Sequence, residues 1–238
     1  MENLFIMKRS EINNAIKDME ALIKAHGFCL PPFAGWTAED WKDKGHEYDE
    51  IRDTMLGWDI TDYGLGDWNK TGMALITIRN GRHGSDIYTK TYAEKLLMVK
   101  EGQYSPMHFH WSKSEDIINR GGGTLIVKLY NSDENYGLAD TDVCVNSDGH
   151  TYYVKAGTDI YLEPGQSITL KPGTYHDFNV LTGSGDVLLG EVSMCNDDNN
   201  DNYFYEHVGR FPKIEEDEPV YRYLCNEYPK ANDTEIKM

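Results

Sequence analysis

The 238-residue sequence predicts a mainly β protein, an antiparallel sandwich or jelly roll with α-helices at its N-terminus. Three observations favour this fold class. Short apolar runs of strand length follow one another from about residue 54, turn-forming residues such as Gly and Pro separate them, and no long helical pattern alternates with them. The third observation argues against a parallel sheet, which needs a helix between successive strands.

The first part of the chain has the periodicity of a helix. Between Ile12 and Ile23, apolar residues recur at intervals of three and four, which places them on one helix face. Ser10 is the predicted N-cap, Gly27 the predicted C-terminal stop, and Thr37 the predicted start of a second, short helix. We therefore assign residues 1–53 to an N-terminal helical segment packed on a β-barrel domain, residues 54–238, in one structural unit.

The second part of the chain reads as strands separated by turns. Four predicted strands are residues 74–78, 95–99, 124–130 and 186–192. Asp148-Gly149, between the runs 143–145 and 151–154, predicts a tight β-hairpin. Short strands joined by turns are typical of a sandwich or jelly roll. The acidic run at residues 215–218 is predicted to be a solvated loop.

Composition excludes several classes of partner. Asp and Glu number 40 against 23 Lys and Arg, a formal net charge of −17, which would repel nucleic acid and anionic membranes. No apolar run approaches the roughly 20 residues of a transmembrane helix, and we see no secretory signal. The four cysteines are scattered without a Cys-x-x-Cys pair, which predicts reduced thiols and a cytoplasmic protein.

Three histidines and one glutamate predict a metal site. Residues i and i+2 of a strand point to the same face, so His108 and His110 would direct two imidazoles into one interior. Glu115 follows after a short turn, and His176 lies in a Pro-Gly turn that opens another strand. Three imidazoles and a carboxylate suit a divalent transition metal such as Mn, Fe, Co, Ni or Zn.

These residues also carry a family resemblance. The spacing of the first motif of the cupin superfamily is reproduced by Gly102, His108, His110, Glu115 and Gly122. The second motif is matched more loosely around His176, because Pro172 directly precedes Gly173 and Asn179 follows one residue early. The resemblance implies a small β-barrel of the cupin type, with His108, His110, Glu115 and His176 as metal ligands.

Longer stretches, residues 107–123 and 190–202, resemble the D-lyxose isomerase family of cupins, and the resemblance extends over nearly the whole chain. It implies an intramolecular oxidoreductase, a D-lyxose ketol-isomerase. Such an enzyme would interconvert D-lyxose and D-xylulose, and also D-mannose and D-fructose, through a cis-enediol with O1 and O2 on the metal. The resemblance further implies Mn²⁺ as the usual metal, a monosaccharide as the substrate and a homodimer.

Two other functions are compatible with the motifs. The ligand set would also suit O₂ activation by an Fe-dependent cupin dioxygenase, and a cupin barrel could bind a sugar without catalysis. Oxygen consumption would identify the dioxygenase, and sugar binding without exchange of the C2 proton would identify the non-catalytic module.

Two charged residues are candidates for catalysis. Glu191 interrupts an apolar run, where partial burial would raise its pKa and make it a better general base near neutral pH. The alternative is an outward-facing glutamate on a solvated sheet. Lys113, between His110 and Glu115, is placed to donate to a sugar oxygen or an enediolate, and the alternative is an ordinary turn lysine.

Asp201 and Arg210 are candidates for binding the sugar hydroxyls. Their segment, residues 196–210, combines Asn and Asp with three consecutive aromatic residues, 203–205. Polar groups beside aromatic faces match a sugar, which has polar edges and apolar C–H patches. The alternative is a plain acidic loop. Phe109 should point away from the two histidines and pack in the core.

Overall fold

The computed structural model describes residues 6–198, 200–209 and 212–231. Its helices are α1 (Arg9–Ala25) and α2 (Asp49–Asp53), with 3₁₀ turns at Pro32–Gly35, Asp40–Asp43 and His46–Tyr48. The strands are β1 (Ile6–Lys8), β2 (Gly57–Thr61), β3 (Met73–Arg79), β4 (Tyr92–Val99), β5 (Tyr104–His110), β6 (Glu115–Gly122), β7 (Leu125–Ser132), β8 (Leu138–Ala139), β9 (Val143–Ser147), β10 (His150–Val154), β11 (Asp159–Leu162), β12 (Ser167–Leu170), β13 (Thr174–Val180), β14 (Val187–Met194), β15 (Asn202–Phe204) and β16 (Lys213–Glu215). The mainly β prediction is confirmed.

Two curled antiparallel sheets form the body of the protein. Over the described residues, one sheet has eight strands in the order β10-β9-β12-β6-β14-β4-β3-β2. The other has the order β11-β7-β13-β5-β15, with β8 paired to β7. A single apolar core lies between them, in which Leu97 and Leu189 of the first sheet meet Val127 and Phe178 of the second. All four predicted strands and the hairpin formed by β9 and β10 are confirmed.

Helix α1 covers part of the outer face of the eight-stranded sheet. Its buried residues Ile12, Ile16 and Met19 pack in one cluster with Ile76 and Leu96 of the sheet. The stripe of apolar residues read from the sequence is therefore the buried face. Gly27 follows the helix with φ of 71°, the left-handed conformation that a glycine adopts most easily, as predicted for the C-terminal stop.

The predicted N-cap was wrong. The cap position is Lys8, and Ser10 lies inside the first turn, where its backbone N–H and its hydroxyl both donate to the carboxylate of Asp217. The acidic run 215–218 is exposed as predicted, but its carboxylates also hold the start of α1. Glu216 accepts hydrogen bonds from the buried guanidinium of Arg9. A distant segment thus supplies the acceptors that a local cap would have supplied.

The second predicted helix is only a 3₁₀ turn, Asp40–Asp43, which Thr37 precedes with reciprocal hydrogen bonds to Asp40. All four cysteines are free thiols, as expected. Within the described residues, none of the helices is both long enough and apolar enough to cross a membrane.

Candidate metal and sugar site

The three predicted histidines meet between neighbouring strands. His108 and His110 lie on β5, and β13 pairs with β5 in a register that sets His176 opposite His108. The candidate ligand atoms of the three rings all lie within 4.8 Å of one another. Phe109, between the two β5 histidines, points to the other side and is buried against Trp111 and Tyr175, as expected from strand alternation.

Backbone carbonyls orient two of these rings. Nδ1 of His108 lies 2.8 Å from the carbonyl oxygen of Pro106, and Nδ1 of His176 lies 3.0 Å from that of Thr174. A carbonyl only accepts, so each Nδ1 carries the proton and each Nε2 presents its lone pair. Nε2 of His176 is buried and has no hydrogen-bond partner among the described residues. Such fixed tautomers are usual for metal-binding histidines.

Enclosure keeps His108 and His110 neutral. Removal from bulk water, reinforced by the neighbouring imidazoles, holds the pKa of His108 well below its usual value. The pKa of His110 is also lowered, by burial first and then by the charge of Lys113. The neutral imidazole is the form that binds metal ions, so these rings need not lose a proton to act as ligands.

Glu115 completes the cluster from the other sheet. Its Oε1 lies 3.3 Å from Nε2 of His110 and 3.3 Å from Nε2 of His176. Burial alone would raise the pKa of Glu115, but Lys113 and His110 outweigh it and hold that pKa well below the usual range. Three imidazole nitrogens, among them the buried Nε2 of His176, and one ionised carboxylate oxygen fit a divalent transition metal.

Glu191 and Lys113 lie beside this cluster, each with only 4% of its surface exposed. Lys113 Nζ lies 2.6 Å from Oε2 of Glu115 and 3.0 Å from Oε1 of Glu191. Burial lowers the pKa of Lys113, but the two carboxylates outweigh it and raise that pKa above its usual value, which keeps the ammonium charged. Neither residue is the solvated surface side chain of the alternative interpretations.

The predicted pKa shift of Glu191 was wrong. Burial does act to raise its pKa, but the charges of Lys113 and Lys95 outweigh burial and lower it. Lys95 Nζ lies 3.2 Å from Oε1 of Glu191. The carboxylate is therefore ionised at neutral pH, because the positive charges of two lysines stabilise its negative charge. In this form it is available as a proton acceptor.

Asp201 is occupied by the turn that carries Lys113. Its Oδ1 accepts from the backbone N–H and the hydroxyl of Ser112, at 2.8 and 2.7 Å. Its Oδ2 accepts from the backbone N–H of Lys113 at 3.1 Å. Asp198 and Asn202, which precede and follow Asp201 in the sequence, line the cavity described next. Arg210 lies outside the described residues, so its predicted contact with sugar stays a prediction.

One cavity joins these groups. Its enclosed free space is about 60 Å³, and it opens to solvent. Its charged and polar lining includes His108, His110, Lys113, Glu115, Glu191 and Lys95. Its apolar lining includes Tyr63, Phe178 and Phe204. The cavity therefore has the polar and apolar surfaces that sugar recognition requires.

Sequence reasoning missed Lys95 and Tyr63. Lys95 opens the apolar run 95–99, the same kind of signal that singled out Glu191. Tyr63 follows a strand in an unusual left-handed conformation, with φ of 56°. Its hydroxyl lies 3.0 Å from the hydroxyl of Ser105, on the strand that carries the histidines. Nothing in the pattern around Tyr63 predicted that conformation.

Comparison with known proteins decides the family. The model of a family described as D-lyxose isomerase matches residues 7–228. The chain belongs to the D-lyxose isomerase family. Proteins named D-lyxose/D-mannose isomerase from Escherichia coli O157:H7 and Serratia proteamaculans are each 46% identical over 223 residues, which cover 93% of this chain and 98% of each relative. Membership of this family confirms the predicted resemblance and identifies the protein as an isomerase.

Solved structures support the fold. The L-ribose isomerase of Cellulomonas parahominis superimposes with a TM-score of 0.55 at 16% identity, covering 89% of this chain and 99% of that one. The L-ribose isomerase of Geodermatophilus obscurus gives a TM-score of 0.55 at 14% identity, with 89% and 99% coverage. At such low identity, the likeness shows that these proteins share a fold. It does not identify the substrate of this isomerase.

Proposed function

We propose that this isomerase interconverts D-lyxose and D-xylulose, and also D-mannose and D-fructose, by moving a proton between C1 and C2 through a cis-enediol. The observation that carries the proposal is the place of Glu191. This ionised carboxylate is not part of the histidine cluster, yet it lines the same cavity as His108 and His110. Aldose–ketose isomerisation needs a proton acceptor beside a polarising site, and the chain provides both.

The metal-binding part of the proposal concerns His108, His110, His176 and Glu115. These residues would hold one divalent metal, which we propose to be Mn²⁺. When bound, the ion would supply a Lewis acid that polarises neighbouring sugar oxygens. The fixed tautomers of His108 and His176 support this assignment, because their Nε2 lone pairs face the cluster.

Glu191 would carry the proton between the two carbons. Starting from the aldose, its carboxylate accepts the proton from C2 and returns it to C1, while the hydroxyl proton of O2 passes to O1. No proton is gained or lost overall, which matches an isomerisation. Lys113 stays charged throughout and donates a hydrogen bond to a sugar oxygen, where it offsets the negative charge of the enediolate.

The sugar itself would lie between the charged lining and the aromatic side of the cavity. The rings of Tyr63 and Phe204 are in edge contact, with their centroids 5.8 Å apart. They can pack against the C–H face of a pyranose or an open chain. Arg210 remains a proposed contact of the sugar hydroxyls. For Asp201 we keep the same proposal beside a second one, that its carboxylate holds the turn of Ser112 and Lys113. The expected homodimer and cytoplasmic location also remain predictions.

The test is an assay of metal-stripped protein with and without added Mn²⁺. We expect D-lyxose to yield D-xylulose only with the metal and with no oxygen consumed. In heavy water, part of the protons held by Glu191 should exchange before they are returned, so that some deuterium enters the ketose at C1. Oxygen consumption would instead support a dioxygenase. Metal-loaded protein that binds D-lyxose without converting it would contradict the proposal and favour a sugar-binding module.

A further inference from the structure

Lys95 is a buried charged residue to which the mechanism above gives no role. It lies on β4, directly opposite Glu191 of β14 in the strand register, and only 4% of its surface is exposed. A lysine is rarely buried unless its charge is paired. The side chain also lines the cavity, so its ammonium is held beside the proposed proton acceptor.

The contacts of Lys95 link Glu191 to a loop at the cavity rim. Its Nζ lies 3.2 Å from Oε1 of Glu191 and donates to Oδ1 of Asn196 at 2.5 Å. Asn196 donates from Nδ2 to Asp198, which lines the cavity, and from its backbone N–H to Asn80. Lys95 is therefore itself held in place and does not simply fill space.

Three donors surround the same oxygen of Glu191. Lys95 at 3.2 Å, Lys113 at 3.0 Å and the hydroxyl of Ser193 at 3.0 Å all approach Oε1. The Ser193 hydroxyl has one proton and also lies 2.9 Å from the carbonyl oxygen of Met194, so it is an intermittent donor. Within the described part of the chain, the two lysines and Ser193 all contact Oε1, which leaves Oε2 as the oxygen that can take up a proton.

We propose that Lys95 is a positioning residue for isomerisation, which fixes the Glu191 carboxylate with Oε1 held by two ammonium groups and Oε2 directed to the substrate. This inference rests on the proposed role of Glu191 as the proton carrier. Lys113 alone cannot do the same, because its Nζ is shared with Glu115, whose Oε2 lies 2.6 Å away. Among the described residues, Lys95 forms an ion pair with Glu191 and not with Glu115.

Charge balance supports the same role. The buried cluster contains two carboxylates, Glu115 and Glu191, and two ammonium groups, Lys95 and Lys113. Without Lys95, one buried carboxylate would compete with the other for Lys113. Glu191 would then be drawn further towards Lys113, away from its present position, and a displacement of about 1 Å at a reacting group can cost roughly 10²-fold in rate.

The test is a double-mutant cycle of Lys95→Met and Glu191→Asp, with D-lyxose as the substrate and Mn²⁺ at saturation. Lys95→Met alone should lower kcat by roughly 10²-fold, while KM and the bound Mn²⁺ change by no more than about 2-fold. In the Glu191→Asp background, where the shorter carboxylate is already out of position, adding Lys95→Met should cost no more than about 2-fold. Lys155→Met, on an exposed lysine, is the matched control and should leave all three values unchanged.

Two outcomes would overturn the inference. One is a kcat of Lys95→Met within about 2-fold of the wild type, and the other is an equal loss in both backgrounds, which would mean that Lys95 does not act through Glu191. If Lys95→Met fails to fold, Lys95→Gln, which keeps an N–H donor, undergoes the same cycle and is judged by the same two outcomes. Failure of the proposed function is separate, because wild-type protein would then show no isomerisation at all.

Discussion

The two sides of the cavity differ in charge and in the sheet that supplies them. His108, His110 and His176 come from adjacent strands of the smaller sheet, and burial lowers the pKa values of His108 and His110. Glu115 and Glu191 come from strands of the eight-stranded sheet and are ionised. One side thus offers lone pairs, and the other offers fixed charges.

In the proposed mechanism, this division would separate two tasks, metal binding and proton transfer, that would interfere with each other at one group. A carboxylate that also bound the metal would have its lone pairs engaged, and it would be a poor proton acceptor. Glu191 instead lies beside the histidine cluster, where Lys113 and Lys95 contact its carboxylate. Glu115 is the residue that belongs to both sides, because its Oε1 faces the histidines and its Oε2 faces Lys113. The comparison therefore predicts that the two sides fail in different ways when mutated.

The largest effect is expected on the histidine side. His108→Ala should remove one nitrogen donor, and bound Mn²⁺ and turnover should be lost together. Lewis-acid catalysis contributes several kcal/mol, so we expect a loss of roughly 10³-fold or more in kcat. Elemental analysis and the D-lyxose assay measure both quantities, with His150→Ala on an exposed strand as the control. A variant that kept its metal and its rate would exclude His108 as a ligand.

The charged side should lose rate without losing metal. Glu191→Gln keeps the shape of the side chain but cannot accept a proton, so kcat should fall by roughly 10²- to 10⁴-fold, the range for a general base. Bound Mn²⁺ should stay at the wild-type level, because Glu191 is not among the predicted ligands. Loss of metal from this variant would show that the two sides are not separate.

The histidine side could be read from the sequence because its signal is local. The i, i+2 spacing of His108 and His110 and the nearby Glu115 fix most of the cluster within eight residues. Only His176 required a distant match, and a Pro-Gly turn marked it. Strand alternation then correctly placed Phe109 on the opposite face.

The charged side is assembled from distant strands, and its electrostatics could not be read in this way. Glu191 was found as a charge in an apolar run, but its lowered pKa depends on Lys95 of another strand and on Lys113, 78 residues away. Burial, the only effect that the apolar run indicates, acts to raise this pKa. The Ser10 contact with Asp217, 207 residues away, is the same kind of failure at the N-terminal helix.

A smaller effect is expected when metal-stripped protein is acidified. Folding lowers the pKa values of His108 and His110 below 6.5, the value of an unperturbed histidine. Just below pH 6.5 the unfolded chain therefore binds more protons than the folded chain, and the free energy of unfolding falls as the pH falls. Above that value this contribution to stability is fully present.

Urea titrations of the metal-stripped protein at about pH 7.5 and about pH 5 measure this loss. His108→Gln should show a smaller difference between the two pH values than the wild type, whereas His83→Gln, at an exposed position, should show the wild-type difference. Equal stability of the wild type at both pH values would contradict the enclosed, neutral state of the histidines.

The smallest effect is expected at the turn that joins the two sides. Asp201 accepts two backbone N–H groups and one hydroxyl from Ser112 and Lys113, between the last β5 histidine and Glu115. Asp201→Asn keeps the shape but weakens these charge-assisted bonds, at a cost of about 1–2 kcal/mol in the free energy of unfolding. A turn-holding role predicts a lowered kcat through Lys113, with KM for D-lyxose nearly unchanged. A raised KM with unchanged stability would instead support the proposed direct contact of Asp201 with the sugar hydroxyls.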